Sequence, residues 1–521
     1  MKRVLLIVRD GWGYSTKQTG NAIFSAKTPF NDWLETATAK TLLSCHGEAV
    51  GLPQGFQGSS EVGHLNMGAG RVVEQEVTRI FNAIQNKDLF KSSRFDEIRA
   101  FLQNKETSLH FVGLLQDEGV HAHQAHLFEL YHALRRDFSH TSIWIHPIAD
   151  GRDTPPRSFL SFYNTLKNTI SSDPNACIGT IWGRYYGMDR SHNWNLVKVA
   201  TDAMIHGIGL RVNDFEKGVR NAYENDKTPD SMPMSDEYLK PLISESYPGI
   251  RPGDVVINFN YRQDRAIQIS QAFLEPDCPI FSPEHVNIHY YGLTRYYDEF
   301  KPFLLPPMDD KGNLKNILGE VLSNHGKRQL RIAETQKFRH VTSFFNGKST
   351  KPFHNEDQIE IPSLWDPSSF ASHPEMNAVD VTKVLLERLS GQYDFILVNY
   401  ANCDMVGHTG DFEAAIKAVQ HVDENVEKIA HKALQNGYFV IVTADHGNSE
   451  ELLDEKGETK TAHTLNPVKL HLIAPDTEKA LSFKTDRGIL SDVAPLVLKL
   501  MDLPIPDEMT SRTLSDALSP I

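Results

Sequence analysis

Short apolar runs recur along this chain between longer amphipathic stretches, and that alternation constrains its fold more than any other feature. Runs readable as strands occupy residues 4–8, 109–114, 142–148, 178–182, 255–259, 395–399 and 439–443. Strands separated by helical stretches are the pattern of an α/β architecture with mainly parallel strands. The clearest helix lies between the last two runs. Phe412, Ala415, Val419, Val422, Val426, Ile429 and Ala433 recur there at three- and four-residue spacing, and Gly437 marks its stop. Residues 394–443 therefore read as one β-α-β unit with a right-handed crossover. At about 150 residues per domain, the length of 521 residues suggests about two to four domains. Residues 302–313, rich in proline with a polar exit, predict a linker. A second boundary is placed near residue 75, where the chemistry changes.

Composition excludes several classes of partner. With 53 Lys and Arg against 67 Asp and Glu, the formal net charge of −14 argues against a surface for nucleic acid or an anionic membrane. The 4 cysteines, Cys45, Cys177, Cys278 and Cys403, are too widely spaced for a C-x-x-C site or a dense disulfide frame, which favours a reducing compartment. The first apolar run ends at Arg9, too soon for a signal segment, and nothing later approaches a membrane span. A cytoplasmic location is expected. The 23 histidines and the surplus of acids are ingredients for a metal site.

Ligand sites in open α/β sheets collect beyond the carboxyl ends of strands. Three of the predicted strands end in metal-ligand chemistry. The first leads to Asp10, the run at 395–399 leads to Asp404 and His408, and the run at 439–443 leads to Asp445 and His446. His463 adds a further imidazole from a loop. Carboxylate oxygen and imidazole nitrogen suit Mn²⁺, Zn²⁺ and similar ions, and this set could hold two of them. Two ions about 4 Å apart commonly clamp both oxygens of a phosphoryl transfer. Each piece taken singly also fits a turn or a loop hydrogen bond; their joint placement carries the reading.

The stretch GFQGSSEVGHLNMGAGR at 55–71 reads as a tight loop entering a helix, with Ser60 at the helix N-terminus. Free N–H groups and the helix dipole favour an anion or an incipient alkoxide there. The plainer alternative is that Ser59 or Ser60 only caps the helix. A hydrolase elbow, G-x-S-x-G, does not fit, because Ser60 is followed by Glu61-Val62-Gly63. No Walker-type Gly-Lys-Ser/Thr follows, and Thr16 spoils the dinucleotide fingerprint begun by Gly11 and Gly13.

The middle section has a different character. Its strands run into His121, into Arg152 and Asp153, into Arg184 and Arg190, and into Arg262 and Arg265. Five arginines at strand ends of an acidic chain suggest a pocket for a small phosphorylated carboxylate, since the guanidinium fork pairs bidentately with both groups. The competing reading is that each arginine answers a neighbouring aspartate in an ion pair of little worth.

The motifs DGWG, GSSEVGHLNMGAGR, GVHAH, DGRDTPP, GRYYGMDR, NYRQDR, RIAETQK, NYANCDMVGH, TADHGN and AHTLNPV stand in the order found in cofactor-independent phosphoglycerate mutases. The chain resembles that family from Asp10 to about Pro467. The resemblance implies two α/β domains. One is an alkaline-phosphatase-like metal domain of residues 1–75 and 312–521, and the other is a transferase domain of residues 76–311 inserted in it. It further implies interconversion of 3-phosphoglycerate and 2-phosphoglycerate without 2,3-bisphosphoglycerate, through a phosphoserine and two in-line transfers. Two divalent metal ions are implied, Mn²⁺ first, with Mg²⁺, Co²⁺ or Zn²⁺ as alternatives. Asp404, His408 and His463 would hold one, and Asp10, Ser60, Asp445 and His446 the other.

By the same resemblance Ser60 is the nucleophile, and Lys337 neutralises the transferring phosphoryl group. Arg262 and Arg265 bind that group, while His121, Arg152, Asp153, Arg184 and Arg190 bind the glycerate. Asp153 exchanges protons with the substrate hydroxyls. A monomer whose domains close to exclude water is expected, with the small molecule as sole partner and neither nucleic acid nor membrane. Rival readings are a metal-dependent phosphatase, another phosphomutase, or a non-catalytic metal and phosphometabolite binder. The sequence departs from the family pattern at Arg9, Ser59, Glu118, Trp182 and Cys403, none of them an implied ligand.

Overall fold

A computed structural model describes residues 2–280, 287–306, 314–390, 392–453 and 457–520. The chain divides into two compact units, Met1–Gln75 with Lys311–Ile521, and Glu76–Asp310. Of the expected linker, residues 307–313 lie outside the described residues. No described helix is long and apolar enough to cross a membrane.

The elements that carry chemistry are, along the chain, strand β1 (Arg3–Arg9), helix α1 (Ser60–Ala69) and strands β2 (Leu109–Leu114), β3 (Ile143–Ala149), β4 (Thr180–Gly183) and β5 (Val255–Asn258). After them come β6 (Gln329–Glu334), β7 (Phe395–Tyr400), helix α2 (Phe412–Gln435) and β8 (Tyr438–Thr443). The first unit holds β1 and β6 to β8 in one sheet, in the order β6-β7-β1-β8. Strand Glu356–Ile361 lies outside β6, and Val468–Ile473, Ala39–Ser44 and Arg487–Ile489 follow β8. The four central strands are parallel; Val468–Ile473 runs antiparallel to β8.

Val4 to Val8 are fully buried, as a strand covered on both faces must be, which is why its run is continuously apolar. Helix α2 follows its apolar stripe, begins where the Asp411 carboxylate accepts from Ala414 N, and ends before Gly437. Residues 394–443 form the strand, helix and strand read from the sequence, with both strands parallel in one sheet. Strands β7 and β8 are joined by α2 but do not pair, because β1 lies between them and pairs with both.

The second unit contains a sheet in the order His289–Gly292, β5, β2, β3, β4, Leu242–Ser244, Leu210–Val212. Strands β5, β2, β3 and β4 are mutually parallel neighbours. The run read as one strand at 178–182 is two, Ala176–Ile178 and Thr180–Gly183. The ladder breaks at Gly179, whose N–H bonds the Ile145 carbonyl and which packs against the His146 ring.

Helix α1 shows how closely the Ser60 segment is held. The Ser59 hydroxyl accepts from Val62 N, and Gly70 ends the helix in a left-handed conformation. A Cβ on Gly68 would stand 2.0 Å from the Phe345 carbonyl oxygen, so α1 packs backbone to backbone on the segment His340–Phe344 and its continuation. Gly68→Ala should destabilise the protein by about 1–3 kcal/mol through overpacking. The check is the thermal midpoint of the metal-free protein; an unchanged midpoint would show that the segment yields freely.

Candidate active site

Strand adjacency builds the first cluster. Pairing of Val8 with Thr443 in one direction and Arg9 with Tyr400 in the other sets the heights of three strand ends. Continuing the first register places Asp10 level with Asp445. Gly11 adopts φ +74°, and a Cβ there would lie 2.8 Å from the backbone of Asp404, so the turn after β1 can approach that residue only as glycine. Asp404 sits in the short helix Asn402–Gly407, and His408 follows one turn later on the same face. Strand β6 brings Lys337, which is carried by the helix Thr335–Arg339.

The side chains converge within hydrogen-bond distance. Ser60 Oγ donates to Asp10 Oδ1 at 3.1 Å, lies 2.9 Å from His446 Nε2 and accepts from Lys337 Nζ at 2.7 Å. Lys337 Nζ also meets Asp10 Oδ1 at 2.7 Å and Asp404 Oδ2 at 2.6 Å. His408 Nε2 and His463 Nε2 approach Asp404 Oδ1 at 3.2 and 3.1 Å, and each other at 3.1 Å. His446 Nε2 lies between the two halves, 3.4 Å from Asp10 Oδ1 and 3.8 Å from Asp404 Oδ1. All the residues expected as ligands are therefore together, with Ser60 and Lys337 among them.

Charge balance fixes the protonation of this cluster. Burial opposes the charge of Asp404, yet Lys337 and His408 hold its carboxyl well below the usual range. Asp445 is likewise buried and is held down by His446 and His64. Burial would depress the Lys337 ammonium, but Asp10, Asp404 and Asp445 raise it. His446 is pushed up to about 10, its burial outweighed by Asp445, Asp10 and Asp404. Asp404 raises His408, whereas burial and the neighbouring His446 lower His463.

The second cluster stands at the carboxyl ends of β5, β2, β3 and β4. Arg184, almost fully buried, donates from Nη1 to Asp150 Oδ1 and to Asp153 Oδ2, both at 2.6 Å. His121 Nε2 lies 3.7 Å from Asp153 Oδ2, and its Nδ1 lies 3.7 Å from Asp264 Oδ1. Asp264 in turn pairs with Arg190 at 2.8 Å and Arg262 at 3.2 Å. Arg265 donates to the Met188 carbonyl, and Arg152 pairs with Glu237 at 2.8 Å. The arginines do answer aspartates, but across strands more than within their own loops. Burial and Arg184 push His121 down to about 4, so it is neutral near pH 7. Among the described residues, Arg184 Nε, Asp150 Oδ2 and His121 Nδ1 are buried without a hydrogen-bond partner, which leaves polar capacity for a ligand.

A model of the metalloenzyme superfamily matches residues 2–505. A 2,3-bisphosphoglycerate-independent phosphoglycerate mutase 2 of Methanosarcina barkeri is 41% identical over 531 residues, covering 98% of each chain. The 2,3-bisphosphoglycerate-independent phosphoglycerate mutase of Clostridioides difficile is 40% identical over 521 residues, 98% of this chain and 99% of that one. The crystal structure of Leishmania mexicana phosphoglycerate mutase at low cobalt concentration matches with a TM-score of 0.74 at 29% identity, over 100% of this chain and 98% of that chain. The chain belongs to the 2,3-bisphosphoglycerate-independent phosphoglycerate mutases.

Membership in this family, within the metalloenzyme superfamily, makes the protein dependent on divalent metal. The donor set fits such an ion. His408 Nδ1 donates to the Thr461 carbonyl and His463 Nδ1 to the Gly58 carbonyl, which leaves both Nε2 lone pairs facing Asp404. Asp445 Oδ2 is buried, with His64 Nδ1 3.3 Å away. Ligand atoms of Asp404, His446 and His463 lie within 4.8 Å of one another, and so do those of Asp10, His64 and Asp445. That grouping differs from the ligand sets implied by the motifs. His64 enters it, and His446 joins Asp404.

Sequence reasoning missed three contributors. His64 lies inside α1 and reads there as an ordinary helical residue. Asn399 is a single polar residue within an apolar strand. Glu450, also buried, accepts from Gly13 N, Asn448 N, Thr464 Oγ1 and Asn466 Nδ2, and so ties the loop after β8 to the loop that carries His463. Its signal was its place in the TADHGNSE run.

Two outcomes are expected. Arg184→Met leaves the buried Asp150 and the half-buried Asp153 without their cation, so it should lower stability by about 3–5 kcal/mol. Arg262→Ala removes a half-exposed side chain and should leave the thermal midpoint unchanged; equal midpoints for both variants would count against this division. Metal loading requires neutral imidazoles. His446, pushed up to about 10, carries a proton at pH 7.5, so loading should release roughly one proton per chain. Affinity should then rise with pH until His446 has titrated. A pH-stat record without proton release would contradict this.

Proposed function

We propose that the protein interconverts 3-phosphoglycerate and 2-phosphoglycerate through a phosphoserine at Ser60, with two Mn²⁺ ions as the preferred metals. The observation that carries this reading is the Ser60 hydroxyl, held at a helix N-terminus between Asp10, His446 and Lys337. Asp404, His408 and His463 would hold one ion, and Asp10, Ser60, Asp445 and His446 the other. When bound, such ions lower the pKa of a coordinated hydroxyl and offset phosphoryl charge.

The chain's own residues supply the rest. The Ser60 hydroxyl gives up its proton along its hydrogen bond to Asp10, and Oγ attacks phosphorus in line. The O–P bond to the 3-oxygen of the glycerate breaks, and that oxygen takes up a proton that Asp153 relays from the 2-hydroxyl. In the second transfer, the 2-oxygen so freed of its proton attacks the phosphoserine, the Ser60 O–P bond breaks, and Ser60 Oγ takes its proton back from Asp10. Two inversions give net retention at phosphorus. Lys337 keeps its proton throughout, since three carboxylates raise it, and it counters charge on the phosphoryl oxygens.

Arg262 and Arg265 serve the phosphoryl group, and His121, Arg152, Arg184 and Arg190 hold the glycerate while it reorients. Asp153 is positioned for its exchange by Arg184 at 2.6 Å. His121, neutral, offers a hydrogen bond rather than charge. The expected state is a cytoplasmic monomer with an inserted transferase domain.

The test is incubation of metal-loaded protein with 3-phosphoglycerate in the absence of 2,3-bisphosphoglycerate. 2-Phosphoglycerate should form, and Ser60→Ala should fold yet fail to turn over. Release of inorganic phosphate without 2-phosphoglycerate would make the protein a phosphatase instead.

A further inference from the structure

His64 and Asn399 lie beneath the cluster on independent elements, the first four residues after Ser60 on α1 and the second near the end of β7, and both are fully buried. His64 Nδ1 is 2.9 Å from the Ser60 carbonyl oxygen and 3.3 Å from Asp445 Oδ2. Asn399 Nδ2 is 2.7 Å from Asp10 Oδ2 and 3.1 Å from His64 Nε2.

The partners dictate one arrangement of hydrogens. The Ser60 carbonyl can only accept, so His64 Nδ1 carries a hydrogen. The Asp10 carboxylate can only accept, so the Asn399 amide presents its nitrogen to it and not its oxygen. The second hydrogen of that amide then points to His64 Nε2, which must accept. His64 is thus a single neutral tautomer whose only lone pair is already used. It has none for a metal ion, although its position between Asp10 and Asp445 would otherwise suit a ligand.

We propose that His64 and Asn399 are a positioning pair. They set the Asp10 carboxylate, the Ser60 backbone and the Asp445 carboxylate relative to one another, and His64 does so without ligating metal. The proposal rests on the reading of Asp10, Ser60 and Asp445 as one half of a two-metal centre. A buried amide in a strand is costly unless its hydrogen bonds are made, and here they are spent on the site. Loss of such outer partners commonly weakens metal affinity or activity about 10–100-fold.

The experiment titrates Co²⁺ into the metal-free full chain and reads stoichiometry by elemental analysis and ligand field by visible absorption. His64→Leu and Asn399→Leu should each weaken one of the two ions tenfold or more, alter its absorption bands and leave the other ion unchanged. His64→Asn, which restores a donor to the Ser60 carbonyl, should recover part of the loss. Asn399→Ser takes the place of Asn399→Leu where the larger change prevents folding. Wild-type affinity for both ions in the two leucine variants would overturn the proposal. So would complete loss of one ion in both His64 variants with Asn399→Leu intact, which would make His64 a ligand. Failure of the underlying reading looks different: the unaltered chain would bind fewer than two Co²⁺, or Asp445→Ala would lose none.

Discussion

Asp10, Asp404 and Asp445 crowd three carboxylates into a volume from which water is almost excluded, and a fold that does this must bring positive charge to the same place. Lys337 meets two of them directly and is raised by all three. The same carboxylates push His446 up to about 10 and raise His408. The carboxylates are therefore balanced by imidazoles, which can lose their protons, and by Lys337, whose charge stays. That division explains why one lysine is threaded among the carboxylates: it keeps a cation beside the Ser60 hydroxyl whatever the state of the imidazoles.

The second unit meets the opposite problem with the same means. Arginines gathered for an anion repel one another, and Arg265 is depressed by burial together with Arg184, Arg190 and Arg152. Carboxylates separate them. Asp150 and Asp153 pin Arg184, and Asp264 is shared by Arg190 and Arg262. Arg184 is buried and fixed, so it acts as a rigid wall. Arg190 and Arg262 keep exposed side chains that can leave Asp264 for a ligand, at the small cost typical of exposed ion pairs. An arginine pocket in an acidic chain is stable because its acids are interleaved.

Most of the site could be read in the letters because parallel strands placed side by side deliver their following residues to one edge. Asp10, Asp404 and Asp445 each follow an apolar run, and those runs became β1, β7 and β8. The strand that carries Lys337 escaped the same reading, since β6 contains Arg331. That guanidinium is buried between the rings of Phe345 and Phe395, at 5.0 Å from each, and faces Glu356. A charged residue hidden in this way breaks the apolar run that marks a strand. Lys337 was found only through the RIAETQK resemblance. His64 and Asn399 left no trace, because their importance lies in which atoms they face, and neither spacing nor composition encodes that. The place of β1 between β7 and β8 was equally hidden: sequence order reports connection, not adjacency.

The departures from the family pattern follow the same logic of faces. Arg9 precedes Asp10, but successive side chains of a strand point to opposite sides. Its guanidinium stacks on Trp12 at 4.1 Å and donates to Asn31, and Asp423 is the charge that most offsets its burial. Trp182 and Cys403 are buried, and burial pushes the Cys403 thiol up, out of reach of ligand chemistry. Glu118 differs from these. Burial together with Asp117, Asp150 and Asp153 raises its carboxyl, so it adds acid to the margin of the arginine cluster. Ser59 spends its hydroxyl on the Val62 amide as the cap of α1. An asparagine there could also cap, with an amide N–H left over to donate to a phosphoryl oxygen. A serine that accepts from the helix has only its single O–H to give.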